Sequence, residues 1–209
     1  MIKKIALIAA ALVLGLATSC QKKSSSLELS FNYTPQPGPG SNQYAAWIEN
    51  SNGEVVKTLF VTAYTTKGRS NNGEELVRGY IKRPACVPVW VKTVNAEALS
   101  DAQLDAFSGA TPSGGVQCFC WDFTDENGNA VAKGSYKVCL EATLYGNSDI
   151  LYTGEFTGGA QPGEIALSST LTEPDESQQE IMKTLHFLPT GYFLKGLIKI
   201  LQQKQKRVF

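Results

Sequence analysis

A short run of small side chains ends on a hydroxyl group that could accept a transferred chemical group. Thr111 follows the Ser-Gly-Ala run at residues 108–110, and Asp105 stands a few positions ahead of it. Small side chains let the active site of a second protein close over the chain, and the adjacent Pro112 keeps the segment from continuing as a helix. The Thr111 hydroxyl is therefore a candidate site of covalent attachment.

This segment resembles the acceptor motif of covalently flavinylated extracytoplasmic proteins, in which an aspartate precedes a Ser/Thr-Gly-Ala-Thr run. The resemblance implies that a flavin transferase moves FMN from FAD onto the Thr111 hydroxyl as a phosphate ester. It implies that the rest of the cofactor site is formed by Asp105, Ser108, Gly109 and Ala110. An ordinary loop between a helix and a strand has the same composition, so both interpretations stay open here.

The first residues have the features of an export signal. Lys3 and Lys4 precede an apolar run at residues 5–16, which is too short to cross a bilayer as a permanent helix. Small residues follow the apolar run, as a signal peptidase requires. We expect residues 1–19 to be a cleaved signal peptide.

The cysteine that follows the small residues indicates a lipid anchor. Cys20 comes directly after them in an arrangement that resembles the bacterial lipobox, although Ala17 stands where leucine is commonest. The resemblance implies a diacylglyceryl group on Cys20, with residues 20–26 as a flexible tether. Gln21 does not resemble an inner-membrane retention signal, so we expect a membrane-anchored protein on the periplasmic face of the outer membrane.

The length of the remaining chain indicates one domain, and its charge gives no reason to expect general affinity for nucleic acid. Removal of residues 1–19 leaves 190 of the 209 residues, enough for one sizeable core. The signal contains two of the 19 basic residues and none of the 19 acidic ones, so the mature chain has a formal charge of −2. His186 is the single histidine, and no hydrolytic triad surrounds it. The cysteine spacing does not match a usual zinc site, so no metal is expected.

Alternation of apolar and polar residues predicts a β-rich domain over residues 27–173. Residues 27–33 place four apolar side chains on one strand face. Two further strands, at residues 43–50 and 54–62, are joined by a turn in which Asn52-Gly53 supplies the positive φ values of a tight hairpin. Five later runs have strand character: residues 87–94, 116–123, 135–145, 150–157 and 165–171.

Two segments have helical spacing. Residues 74–81 carry the weaker pattern, and residues 95–107 carry the stronger one, in which Asn95 can cap the helix and Ser108-Gly109 ends it. The fold that we predict is an all-β, immunoglobulin-like sandwich with this one short inserted helix.

The pattern around Trp121 and Tyr136 predicts a strand pairing and a disulfide. Pairing these two residues puts aromatic and aliphatic side chains on one face and brings Cys118 opposite Cys139. An exported location permits oxidation, so we favour a Cys118–Cys139 disulfide among the three pairings that four cysteines allow. The remaining two would then be a second pair or thiols: Cys86 and Cys120.

Several segments together resemble a family of predicted periplasmic proteins, domain of unknown function 2271, over about residues 30–170. They are Ala46-Trp47-Ile48-Glu49, Asn52-Gly53, residues 57–62, Trp121-Asp122, residues 125–128, Gly134-Ser135-Tyr136 and Glu141-Ala142. The second half is also similar to the immunoglobulin-like repeat of flagellar hook-assembly scaffolding proteins, with their Trp-Asp strand, Asn-Gly turn and Gly-x-Tyr strand. These resemblances favour the sandwich fold, but fold does not fix function.

The tail at residues 178–209 lies outside that resemblance. Leu194, Leu197, Ile198 and Leu201 recur at helical spacing among basic and polar residues, which predicts an amphipathic basic helix. Such a helix could dock on the sandwich or lie on an anionic membrane surface.

The sequence therefore favours a lipid-anchored, non-enzymatic electron carrier with covalent FMN, whose partners are a flavin transferase, a redox protein and the membrane. Trp90, between Arg83 and Lys92, is one candidate to stack on the flavin ring. The alternative is a non-catalytic binding or scaffolding module of the cell envelope.

Overall fold

The computed structural model describes residues 27–33, 42–70, 73, 75–111, 114–143, 147–158, 163–172 and 199–200. Their strands are β1 (Leu27–Tyr33), β2 (Tyr44–Asn50), β3 (Val55–Thr62), β4 (Ser108–Gly109), β5 (Gly115–Trp121), β6 (Ser135–Thr143), β7 (Asp149–Thr157), β8 (Gly163–Glu164), β9 (Ser168–Thr172) and β10 (Lys199–Ile200). The helices are α1 (Ala63–Lys67), α2 (Gly79–Lys82), α3 (Pro88–Thr93) and α4 (Asp101–Phe107), with a 3-10 turn at Ala96–Ala98.

A six-stranded mixed sheet in the order β4-β3-β2-β6-β7-β9 is the centre of the fold. Its β2–β3 hairpin confirms the predicted one, with Gly53 at a φ of 79°. The Asn50 side chain completes the turn by accepting hydrogen bonds from the backbone N–H groups of Asn52 and Glu54. Only Gly53 of the Asn-Gly pair has a positive φ, because the four residues 51–54, rather than two, connect the strands.

A two-stranded ribbon of β1 and β5 covers one face of this sheet. Apolar residues from every second position of β1, β2 and β6 meet between the two layers, among them Leu29, Ile48 and Val138, which are all buried. This sheet-on-ribbon packing and the predominance of strands confirm a β-rich fold. The immunoglobulin-like topology stays a prediction.

The short helices cover the other face of the sheet. Ala45 and Trp47 of β2 and Cys139 of β6 point to this side and pack against Trp90 and Leu104 of the helical layer. Strand β2 is therefore apolar on both faces, which explains why six of its seven residues are buried. The described residues contain four short helices and a 3-10 turn, where the sequence predicted one inserted helix.

Two of the predicted elements in this layer were wrong in detail. Residues 87–94 were expected as a strand but contain α3, because Pro88 starts a helix well and a buried carboxylate from the sheet binds its first turn. The predicted helix at residues 95–107 is two elements. Asn95 has a left-handed conformation and makes no side-chain cap, whereas Ser100 caps α4 in a capping box with Gln103.

The predicted pairing of Trp121 with Tyr136 was also wrong. Strand β5 pairs with β1, whereas β6 pairs with β2 and β7. The two rings do touch, with centroids 4.9 Å apart in an edge-to-face contact, but Trp121 belongs to the two-stranded ribbon and Tyr136 to the six-stranded sheet. The chain turns between the layers at Phe123, whose φ of 57° is left-handed. The sequence pattern therefore predicted correctly that the two rings are in contact, but it placed them wrongly on paired strands of one sheet.

The predicted tail helix disagrees with the structure where the two can be compared. Lys199–Ile200 form β10, which pairs with Gly163–Glu164. Backbone pairing with another strand outweighs a short isolated helix, which is marginal in water. The other residues of the tail, the predicted signal peptide and Cys20 lie outside the described residues. No helix among the residues described here is long and apolar enough to span a membrane.

A buried carboxyl group attaches the helical layer to the sheet. Glu141 of β6 has no exposed surface, and its two oxygens accept the backbone N–H groups of Val89 at 2.9 Å and Trp90 at 2.7 Å. Burial raises the pKa of Glu141 to about 8, opposed by these two hydrogen bonds and assisted by the nearby Asp149. Asp149 is buried as well and lies close enough to Glu141 to contribute to this rise.

This raised pKa predicts that the protein loses stability as the pH rises from about 4.5 to about 8. In that interval the folded state binds a proton that the unfolded state has released, so the free energy of unfolding falls by about 1.4 kcal/mol per pH unit at most. Urea unfolding at a series of pH values measures the slope. Glu141→Gln should flatten it, and Glu155→Gln, at an exposed position of β7, should not. An unchanged slope in Glu141→Gln would show that another group carries the dependence.

Candidate functional site

Helix α4 brings the candidate acceptor segment to one edge of the sheet. Leu104 is buried beneath the helix, and the Phe107 ring contacts the edge of Trp90 with centroids 5.8 Å apart. Together these residues fix where the helix ends. Ser108 has an extended conformation, with a ψ of 136°, so the chain leaves the helix as a strand.

Strand β4 is part of the predicted motif and adds to the edge of the sheet in parallel with β3. Ser108 and Gly109 lie beside Val61 and Thr62. The Ser108 hydroxyl donates to the Leu104 carbonyl at 2.5 Å and lies 2.6 Å from the Thr66 hydroxyl. The first half of the motif is thus held by α4, β3 and α1.

Gly109 occupies a position that admits no side chain. A Cβ atom built there would lie 2.3 Å from Cε2 of Phe60, closer than any van der Waals contact. The Phe60 ring has little freedom to move away, because it packs on Phe119 at 5.1 Å and on Tyr44 at 5.0 Å between centroids. The contact with Phe60 therefore requires a glycine at position 109, independently of any role in a modification motif.

Both ends of the segment at residues 105–111 are exposed to solvent. Asp105 forms an ion pair with Lys67 at 2.8 Å, and both side chains are about half exposed. Ala110 and Thr111 continue beyond β4 as exposed residues. The structure thus brings Asp105, Ser108, Gly109 and Ala110 into one continuous surface segment that ends on an accessible Thr111 hydroxyl.

An aromatic cluster adjoins this segment and was not assigned to the site from the sequence. It consists of Phe31, Tyr33, Tyr44, Phe60 and Phe119, which come from β1, β2, β3 and β5. Tyr44 is buried, whereas Tyr33, Phe60 and Phe119 are partly exposed. The sequence signal was the alternation of aromatic residues in these strands, but only the topology shows that they meet next to Gly109.

Trp90 is not available to stack on a ligand. It has no exposed surface, and its indole N–H points to the Thr58 hydroxyl at 3.4 Å inside the core. The earlier hypothesis of a flavin platform at Trp90 is therefore wrong. A cleft of about 540 Å³ lies nearby in the helical layer, lined by Tyr80, Ile81, Pro84, Pro88, Val91, Lys92, Asn95 and Glu97. None of these residues belongs to the acceptor segment.

The cysteines do not pair as the sequence predicted. Cys118 lies beside Ser30 in the ribbon, and Cys139 lies between Trp47 and Thr153 in the large sheet, so the predicted disulfide is absent. Cys86 and Cys139 are buried thiols, and burial raises the pKa of Cys86 to about 11. Cys120 is disulfide-bonded. No group of three or more His, Cys, Asp or Glu side chains in the described segments could hold a metal ion.

Comparison with known proteins gives one match. Residues 27–170 match the family model described as predicted periplasmic protein, domain of unknown function 2271. No curated protein and no solved structure matches the chain.

The close approach of Gly109 to Phe60 predicts that Gly109→Ala lowers the free energy of unfolding by about 1–3 kcal/mol, the usual cost of overpacking. The loss should be smaller when Phe60→Leu is also present, because leucine removes the clashing atom. Gly134→Ala is the matched control, since nothing lies within 4 Å of its added Cβ. Urea unfolding of the four variants measures the coupling. Equal losses in both backgrounds would contradict the contact.

Proposed function

The chain belongs to this family of predicted periplasmic proteins, and we propose, from its acceptor segment, that it is an extracytoplasmic electron carrier with FMN attached covalently to Thr111. A lipid on Cys20 holds it to the membrane. It transfers electrons between partner proteins and has no substrate of its own. The exposed Thr111 hydroxyl at the end of a fixed edge strand is the observation that supports this function best.

The acceptor segment meets the steric needs of modification by a second protein. Residues 108–110 present small side chains, and Ala110 and Thr111 lie in solvent beyond the sheet. Asp105 is also exposed, on the last turn of α4, where a transferase can contact it together with the hydroxyl. Because β4 is pinned by backbone pairing, the hydroxyl is presented at a defined distance from the sheet.

The attachment step balances as a transfer of a phosphoryl-linked group. The Thr111 oxygen forms a new bond to the FMN phosphorus while the phosphoanhydride bond of FAD breaks. AMP leaves with the electron pair of that bond, and the hydroxyl proton is released to a base or to water. The bound flavin then supplies reversible electron transfer. The chain's own residues present the hydroxyl and position the product on the sheet edge.

The lipid anchor would keep the carrier close to membrane and periplasmic partners. A diacyl chain supplies enough apolar burial for stable attachment, and the tether at residues 20–26 separates it from the first strand at Leu27. A thioether to the lipid uses the Cys20 sulfur, so a lipidated Cys20 cannot also form a disulfide.

The central prediction concerns labelling of Thr111. The purified mature chain, incubated with a flavin transferase and FAD, should gain the mass of one FMN, and Thr111→Val should gain none. Thr170→Val, at an exposed threonine of β9, is the matched control and should be labelled like the wild type. An unlabelled wild-type chain, under conditions where a known acceptor is labelled, would refute the carrier and favour the non-catalytic binding module.

A second pair of variants separates recognition from stability at Asp105. If the transferase reads the aspartate itself, Asp105→Asn slows labelling at least tenfold, which corresponds to about 1.4 kcal/mol. Lys67→Gln removes the same ion pair but leaves the carboxylate, and it should label at nearly the wild-type rate. Equal slowing in both variants would mean that the ion pair matters only for holding α4.

The anchor makes an independent prediction. Cys20→Ser should release the protein from the detergent phase into the soluble periplasmic fraction, whereas Cys118→Ser, at an exposed cysteine of β5, should not. Mass spectrometry of the N-terminal peptide without reduction should find a diacylglyceryl thioether on Cys20. A Cys20 peptide joined by a disulfide to the Cys120 peptide would contradict lipidation.

A further inference from the structure

The core between the layers contains two groups of aromatic side chains, and one of them adjoins the acceptor segment. Phe60 and Phe119 stack with their planes 26° apart, and Tyr33 and Tyr44 extend the group at centroid distances of 5.0–5.3 Å. A second aromatic group, Trp121, Phe123, Tyr136 and Phe156, belongs to the same core between the layers. The described sandwich therefore contains two aromatic groups, and the Phe60 group adjoins the edge strand that carries the acceptor.

We propose that the aromatic group of Phe60, Phe119 and Tyr33 is the docking surface for the flavin ring carried on Thr111. This inference rests on the proposed function and adds to it the position of the ring. The three side chains are partly exposed, so they offer ring surface without unfolding of the core.

The path of the chain places the attachment point next to this surface. Gly109 lies directly against Phe60, and Thr111 follows two residues later, within about 7 Å of backbone. Strand β5 then starts at Gly115, which pairs with Tyr33. The acceptor therefore stands on the connection that runs from the Phe60 end of the cluster to its Tyr33 end.

The ribityl phosphate chain that would link Thr111 to the flavin ring has the right length for this contact. The ribityl phosphate chain of FMN is about as long as three residues of extended backbone, roughly 10 Å, which spans the distance from Thr111 back to the Phe60 ring. A short tether raises the effective concentration of the ring to about the millimolar range. Weak stacking between flat aromatic systems then suffices for docking, and no enclosed pocket is required.

One buried polar atom in the cluster fits the same ligand. The Tyr44 hydroxyl is buried and has no hydrogen-bond partner in the described part of the chain. A buried donor without a partner is costly, and a carbonyl oxygen on the pyrimidine side of the flavin ring could accept from it. Tyr33 is held beside it by donating its hydroxyl proton to Asn42 Oδ1 at 2.8 Å.

The test uses the flavinylated mature chain and the spectra of its flavin. Tyrosine rings in contact with a flavin quench its fluorescence, so the native labelled protein should fluoresce severalfold less than the same protein unfolded in urea. It should also show a visible circular dichroism signal that free FMN lacks. Phe60→Leu should restore fluorescence severalfold and remove the signal, while Phe156→Leu, the same change in the other aromatic group, should leave both unchanged.

Tyr33→Phe provides a second variant that keeps the ring and is compatible with the fold. It should raise the fluorescence partly, because it removes one phenol but leaves the stacking surface. A labelled native protein that fluoresces like its unfolded form, with no response to Phe60→Leu or Tyr33→Phe, overturns the docking surface and leaves the carrier function standing. A chain that is not labelled at Thr111 overturns both.

Discussion

The contact between the Glu141 carboxyl group and the first turn of α3 attaches a layer of short helices to the sheet. The described helices have four to seven residues each, too short to persist in water without tertiary packing. Glu141 supplies both acceptors for N–H groups that a short helix cannot satisfy internally. Thr143 lies on the same face of β6, and its hydroxyl accepts a hydrogen bond from the backbone N–H of Val87, which adds one more attachment point ahead of α3.

The position of the acceptor segment follows from that attachment. Trp90 is fixed by its backbone bond to Glu141, and the Phe107 ring packs on it at the end of α4. The chain therefore leaves α4 at a defined height on the sheet and pairs with β3 as β4. Gly109 then meets Phe60, which belongs to the opposite, aromatic side of the sheet. The edge strand thus links a helical layer on one face to an aromatic core on the other.

Sequence patterns predicted the parts of this arrangement that depend on local rules. The β2–β3 hairpin, the strand character of β6 and β7, and the end of α4 at Ser108 all follow from alternation, turn residues and helix termination. The prediction of a strand at residues 87–94 was wrong. Its β-branched residues favour a strand, but a carboxylate about fifty positions away in the sequence accepts hydrogen bonds from the backbone and stabilises a helix instead. No local pattern contains that contact.

The pairing of Trp121 with Tyr136 failed for a related reason. Their contact is real, but a hydrophobic match cannot tell neighbours within a sheet from neighbours across two layers. The chain leaves the ribbon for the large sheet by way of Phe123, whose left-handed conformation is one that a bulky side chain does not favour and that no local pattern predicts. Likewise, the motif at residues 105–111 could be found from sequence, whereas the ring of Phe60 beside Gly109 could not.

A carrier of the proposed kind must satisfy two demands at the same hydroxyl. The transferase needs Thr111 exposed, yet a redox cofactor functions best when its ring is held in a fixed environment. An acceptor deep in a pocket would meet the second demand and fail the first. An acceptor on a free loop would do the reverse. An edge strand held by backbone pairing and followed by an exposed threonine can meet both demands. The phosphate would stay at the surface, while the flavin ring can reach the aromatic rings beside Gly109.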